Sequence, residues 1–248
     1  MKTTTVVLSA YNLEKIVESS LSNIKNSFDI VSSTTHPFFY IVDDCSSDDT
    51  YSIIQQSIKK LNLDAKLIKH NSNLGLPNSE LEGYRYALEM NSDWIIKTDL
   101  DSDFKYGLII PSLIGGLNIE NLPFIVAQRN ISEEELRRFN LYEFFKKSSI
   151  YEILAEFRIP GLDPASVGTQ SFQSDFLRKL LQIQYIGNYN KFWGLDIAMV
   201  LVAKKILNIS PEIIQIPGNY EQSRRSPEKI KEQYNLYSKV VNEVLKIT

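Results

Sequence analysis

FFYIVDDCSSDDT, residues 38–50, is the stretch on which the fold turns. Five apolar residues, Phe38 to Val42, suit a buried strand, and they stop at two aspartates, Asp43 and Asp44. Beyond Asp48-Asp49-Thr50, Ile53, Ile54 and Ile58 recur at helical spacing, and acidic residues suit the first turn of a helix. The chain therefore passes from strand to helix through an acidic turn. The same alternation extends to both sides. Residues 4–8 (TTVVL) read as a buried strand, followed by Leu13, Ile16, Val17, Leu21, Ile24 and Phe28 at helical spacing. Residues 65–68 read as a third strand. Pro77 suits the first turn of a helix that carries Leu81, Tyr84 and Leu88 on one face, and residues 94–97 read as a fourth strand. Strand and helix alternating in this way are the signature of a parallel sheet with right-handed crossovers.

The second half reads differently. Residues 123–127 suggest a further strand, and residues 132–157 a long helix opened by Ser132 and Glu135 in a capping-box arrangement. Residues 173–183 and 194–207 read as two helices, 213–216 as a last strand and 227–246 as a closing helix. There is no internal repeat, low-complexity tract or Pro/Gly/Ser linker. The expectation is one α/β domain over 1–248, with a nucleotide-type half (1–130) and a more variable half (131–248).

Composition narrows the chemistry. A net charge of -3 and a pI of about 5.6 argue against nucleic acid as the main partner. One cysteine, Cys45, excludes an internal disulfide and a cysteine-built zinc site, and two histidines exclude a histidine-rich metal centre. Any divalent ion would have to sit on carboxylates. The N-terminal apolar run is too short for a signal peptide, and the uncharged run 106–119 is too short to span a bilayer. The expectation is a cytoplasmic chain. Residues 132–157, with apolar and basic positions interleaved, either pack on the sheet or a second subunit or lie on the inner face of a membrane.

Three motifs carry chemistry. Asp43 and Asp44 sit at a strand end, where open parallel sheets bind ligands. They could accept hydrogen bonds from a base or ribose, or serve only as a polar turn and helix cap. Asp99, Asp101 and Asp103 follow the fourth strand. In extended chain they would share a face, with neighbours roughly 6.6 Å apart. At an effective dielectric of about 20, each neighbouring pair repels by about 2.5 kcal/mol, which water or a bound cation must relieve. Oxygen ligands of this kind suit Mg2+ or Mn2+; the alternative is an acidic surface turn. Asn73-Leu74-Gly75-Leu76-Pro77 offers a turn in which Gly75 permits close backbone approach, or ordinary loop punctuation. His36 and His70 read as loop or strand-end residues without catalytic duty.

Taken in order, VDDCSSDDT (42–50), NLGLPNSELEG (73–83) and DLD (99–101) resemble the running pattern of glycosyltransferase family 2, over about residues 3–130. Cys45 stands where that pattern has glycine. The second half is similar to the polyprenyl-phosphate (dolichyl-phosphate) sugar synthase branch: Arg129 after the fifth strand, Asp163–Gly168 as a "DxxSG"-like stretch, Phe192–Asp196 where members carry a helix-borne acid, and Arg224, Arg225 and Lys229 in a basic tail. The resemblance implies the GT-A (Rossmann-like) fold, with a mostly parallel central sheet flanked by helices and a helical acceptor-side C-terminal part. It implies inverting transfer of a sugar from a nucleoside-diphosphate sugar to a lipid phosphate or to a glycan hydroxyl. The roles it implies are these. Asp44, helped by Asp43, holds base or ribose, and Ala10, Tyr11 and Asn12 line the base pocket. Asp99 contacts ribose or metal, Asp101 ligates Mg2+ or Mn2+, and Asp103 is a further ligand. Asp196 is the general base for a hydroxyl acceptor, whereas Arg129, Arg224 and Arg225 cradle a phosphate acceptor. Two alternatives stand beside it: a catalytically degenerate scaffold subunit, and a haloacid-dehalogenase-like phosphatase, whose nucleophile loop a strand ending in DxD also resembles. A homodimer is left open.

Overall fold

The computed structural model describes residues 1–100, 106–129, 157–159, 162, 167–216 and 227–247. The first half alternates as its sequence pattern dictates: β1 (Lys2–Ala10), α1 (Val17–Ile30), β2 (Thr35–Asp43), α2 (Thr50–Lys60), β3 (Ala65–Lys69), α3 (Leu76–Glu89), β4 (Trp94–Asp99), α4 (Tyr106–Asn118) and β5 (Phe124–Arg129). There follow β6 (Thr169–Gln173), α5 (Ser174–Gln182), the single turn α6 (Gln184–Gly187), α7 (Leu195–Leu207), β7 (Glu212–Ile216) and α8 (Pro227–Leu245). The long helix expected at 132–157 lies almost wholly outside the described residues.

The sheet order is β3-β2-β1-β4-β6-β5-β7. β1 pairs in parallel with β2 and β4, β2 with β3, and β5 with β7, while β6 runs antiparallel between β4 and β5. The sheet is therefore mostly parallel, and one reversed strand joins its two parallel parts. Period-two alternation divides the core between its faces. Val6, Leu8 and Ala10 pack with Val17, Leu21, Ile24 and Ile109 on one side, whereas Val7 packs with Leu81, Tyr84 and Met199 on the other. Phe124 and Val126 likewise face opposite to Ile125 and Ala127. Both faces are covered, which is why the central strands read as unbroken apolar runs.

Two elements were not assigned from the sequence. The apolar run 106–119 is α4, with Pro111 inside it and Ile109, Ile110 and Leu113 fully buried. No helix among the described residues is long and apolar enough to cross a membrane. β6, TQSFQ, carries no apolar alternation, yet Thr169, Gln170 and Ser171 are all buried. It is held by its neighbours: the Thr98 and Thr169 hydroxyls meet at 2.9 Å, and Gln170 Nε2 donates to the Asp196 carbonyl at 2.9 Å.

Candidate functional site

Register aligns the acids at one end of the sheet. Ala10 at the end of β1 pairs with Asp43 at the end of β2, Ser9 pairs with Asp99 at the end of β4, and Asp43 pairs with Lys69 at the end of β3. The carboxyl ends of four adjacent parallel strands thus lie in one row. Here crevices open in sheets of this kind.

The two adjacent aspartates have opposite circumstances. Asp44 is internally satisfied: its Oδ1 accepts from Leu74 N at 2.8 Å and from His70 Nδ1 at 2.7 Å, and its Oδ2 accepts from Gly75 N at 2.8 Å. It ties the turn after β2 to the loop before α3. Asp43 is completely buried, and neither carboxylate oxygen has a hydrogen-bond partner among the described residues. A buried polar group of this kind is costly unless something pairs with it. The turn between them is sharp. Cys45, at φ 63°, adopts the left-handed conformation that glycine would take without strain, and its N–H bonds back to the Asp43 carbonyl at 2.9 Å.

The first loop is stitched to this turn. Asn12 N donates to Ser46 Oγ at 3.0 Å, Asn12 Oδ1 accepts from Ser47 N at 2.9 Å, and Leu13 N donates to Thr50 Oγ1 at 2.7 Å. Asn12 therefore shapes the rim, and Ala10 is buried in the core beneath it. Tyr11 stands half exposed between them.

Under the β4 end lies a buried charge cluster that the sequence reading missed. Lys97 Nζ donates to Asp99 Oδ1 at 2.8 Å and to the Gly168 carbonyl at 2.7 Å, and forms an ion pair with Glu80 Oε1 at 2.9 Å. Lys97 and Glu80 are each only 2% exposed. Burial pushes the Glu80 carboxyl up to about 7; Lys97 opposes this, while Asp196 and Asp99 add to it. Burial alone would lower Lys97, but the charges of Asp99, Glu80 and Asp196 hold it well above its ordinary value. Asp196, in the first turn of α7, thus lies close enough for its charge to act on this cluster, and its Oδ1 accepts from Ile197 N at 2.8 Å. Gly168 is required where it is: a Cβ there would stand 2.7 Å from Asp99 Oδ2. The clue in the sequence was a lysine in the middle of an otherwise apolar strand.

Gly75, at φ 86°, opens α3, and a Cβ on it would lie 2.8 Å from the ring of Phe192. This contact brings the loop preceding Asp196 against the loop held by Asp44. Arg129 ends β5 opposite Ile216, but its side chain lies outside the described residues, as do Asp101, Asp103, Arg224 and Arg225 entirely. Among the described residues no group of three His, Cys, Asp or Glu side chains could hold a metal ion. Of the expected ligands, only Asp99 is described, and its Oδ1 is engaged by Lys97.

The family model for glycosyl transferase family 2 matches residues 5–181. The chain belongs to glycosyltransferase family 2. No curated protein matches the chain in sequence. Solved structures do match in fold. Glucosyl-3-phosphoglycerate synthase from Mycobacterium tuberculosis, in complex with Mn2+, UDP and phosphoglyceric acid, superposes with a TM-score of 0.69 at 16% identity, over 100% of this chain and 80% of its own. Mannosyl-3-phosphoglycerate synthase from Rubrobacter xylanophilus gives 0.61 at 16% identity, over 99% and 74%. The mannosyltransferase PcManGT from Pyrobaculum calidifontis, in complex with GDP-Man and Mn2+, gives 0.60 at 15% identity, over 96% and 64%. The GT-A fold and the family together make this chain a nucleotide-sugar glycosyltransferase. Its row of strand ends lies where open parallel sheets bind ligands, and the charge of the α7 acid reaches the β4 end of that row.

Proposed function

We propose that this glycosyltransferase moves a sugar, with inversion, from a nucleoside-diphosphate sugar to a hydroxyl of a glycan acceptor, using a divalent cation. The observation that carries the donor side is the buried, unpartnered carboxylate of Asp43, set in the row of strand ends beside Ala10 and Asp99. A base N–H or ribose hydroxyl would supply the missing donor. Tyr11 would cover the base from the rim.

The donor set suits the cation: carboxylates bind Mg2+ or Mn2+, and Asp101 with Asp103 would join Asp99 in holding it. Such an ion, when bound, neutralises charge building on the departing diphosphate. Two similar structures carry Mn2+, one with UDP and one with GDP-Man, which supports a metal-dependent donor site here.

The acceptor side rests on Asp196. A hydroxyl nucleophile needs a base within hydrogen-bond reach. In support of Asp196 in that role, its carbonyl meets Gln170 on β6 and its charge acts on Lys97 and Glu80 under the β4 end. Screening slow hydrolysis across a panel of nucleotide sugars identifies the donor without knowledge of the acceptor. With that donor, Asp196→Asn should lower kcat by about 100-fold or more with little change in donor KM. A loss below about threefold contradicts the hydroxyl acceptor, because a phosphate acceptor needs no base.

A further inference from the structure

His70 directly follows β3, and its side chain is 9% exposed. Its ring lies between two carboxylates: Nδ1 is 2.7 Å from Asp44 Oδ1 and Nε2 is 3.0 Å from Glu82 Oε2. Ionised carboxylates only accept hydrogen bonds, so both contacts are attractive only when both ring nitrogens carry a proton. Each element packed around the ring contributes. β2 and its turn bring Asp43, whose carbonyl accepts His70 N–H at 2.9 Å, and Asp44; α3 brings Glu82. Lys69 precedes it on β3, and Tyr40 stands one bond further on, donating to Glu82 Oε1 at 2.7 Å. Burial on its own would lower the pKa of His70, but hydrogen bonds and charge from Asp44 and Glu82 raise it above the ordinary value of 6.5.

The chain of contacts continues through Asp44 to the amides of Leu74 and Gly75, and Gly75 seats the Phe192 ring. We propose that His70 is a positioning residue whose imidazolium form joins the turn after β2, the end of β3 and α3, fixes the loop 73–75 at the donor crevice, and thereby makes nucleotide binding depend on its proton. The inference rests on the strand ends being the donor site. The sign follows from the geometry: the imidazolium's contribution is complete below about 6.5, the unfolded value, and is lost as pH rises through the raised folded value.

The chain has two histidines, so its imidazole NMR spectrum is short, and a His36→Gln variant assigns it. In the unliganded wild-type chain, both His70 nitrogens should be protonated at pH 6.5, with a pKa above 6.5. Calorimetric titration of UDP and GDP with Mn2+ should show affinity falling by up to about tenfold per pH unit above that pKa. In His70→Gln this fall should vanish, with affinity already weakened at pH 6.5. A wild-type imidazole that titrates at or below 6.5 overturns the inference without recourse to any variant. Binding with the same pH dependence in both proteins overturns it as well. No nucleotide binding at any pH overturns the donor reading and this inference together.

Discussion

Asp43 and Asp44 are adjacent in sequence, yet one is buried without a hydrogen-bond partner among the described residues and the other ties two loops together. That division of labour is set by tertiary structure. It depends on which carboxylate meets the amides of Leu74 and Gly75, thirty residues later, and spacing does not reveal that. Glu80 and Lys97 were missed for a related reason. Each is an unremarkable charged residue by itself, and only the packing of α3 on β4 buries them as a pair. The burial of Glu80 has a measurable consequence. Glu80 has a folded pKa of about 7 against 4.5 for the unfolded carboxyl, so the folded state prefers it protonated. Its contribution is fully present below 4.5 and diminishes as pH rises toward 7. Urea unfolding of the wild type should therefore show stability falling across that window relative to Glu80→Gln. Parallel pH curves for the two proteins would contradict the buried assignment.

At the scale of elements, the first half was readable because each strand is an apolar run and each helix has one apolar face. β6 was not readable, since Thr169, Gln170 and Ser171 carry no hydrophobic signal and are buried only because β4 and β5 flank them. The seating of α3 depends on one glycine. A Cβ on Gly83 would stand 2.4 Å from Val7 Cγ1 in the middle of β1. Gly83→Ala should destabilise the chain by about 1–3 kcal/mol despite alanine's better helix propensity, because the helix cannot approach the strand as closely. Adding Val7→Ala should recover part of that loss, so that the double variant costs less than the two single costs added. Full additivity in denaturant unfolding would show that α3 does not rest on Val7.

At the scale of the molecule, the mostly parallel sheet followed from strand–helix alternation, whereas its order did not, since only pairing puts β6 between β4 and β5. That order matters for function. It brings the start of β6, and with it Gly168, under Asp99, and brings α7 with Asp196 toward the charges at the β4 end. The central claim is that the strand ends bind a nucleoside diphosphate through Asp43 with the help of a divalent ion. Calorimetric titration of UDP and GDP into the wild type and Asp43→Asn, with Mn2+ and with chelator, tests it directly. The account predicts that the wild type binds at least one nucleotide in Mn2+ and binds it at least about tenfold more weakly in chelator, and that Asp43→Asn stays folded but loses about tenfold or more in affinity. Equal binding by wild type and variant, or no binding under any condition, would contradict it.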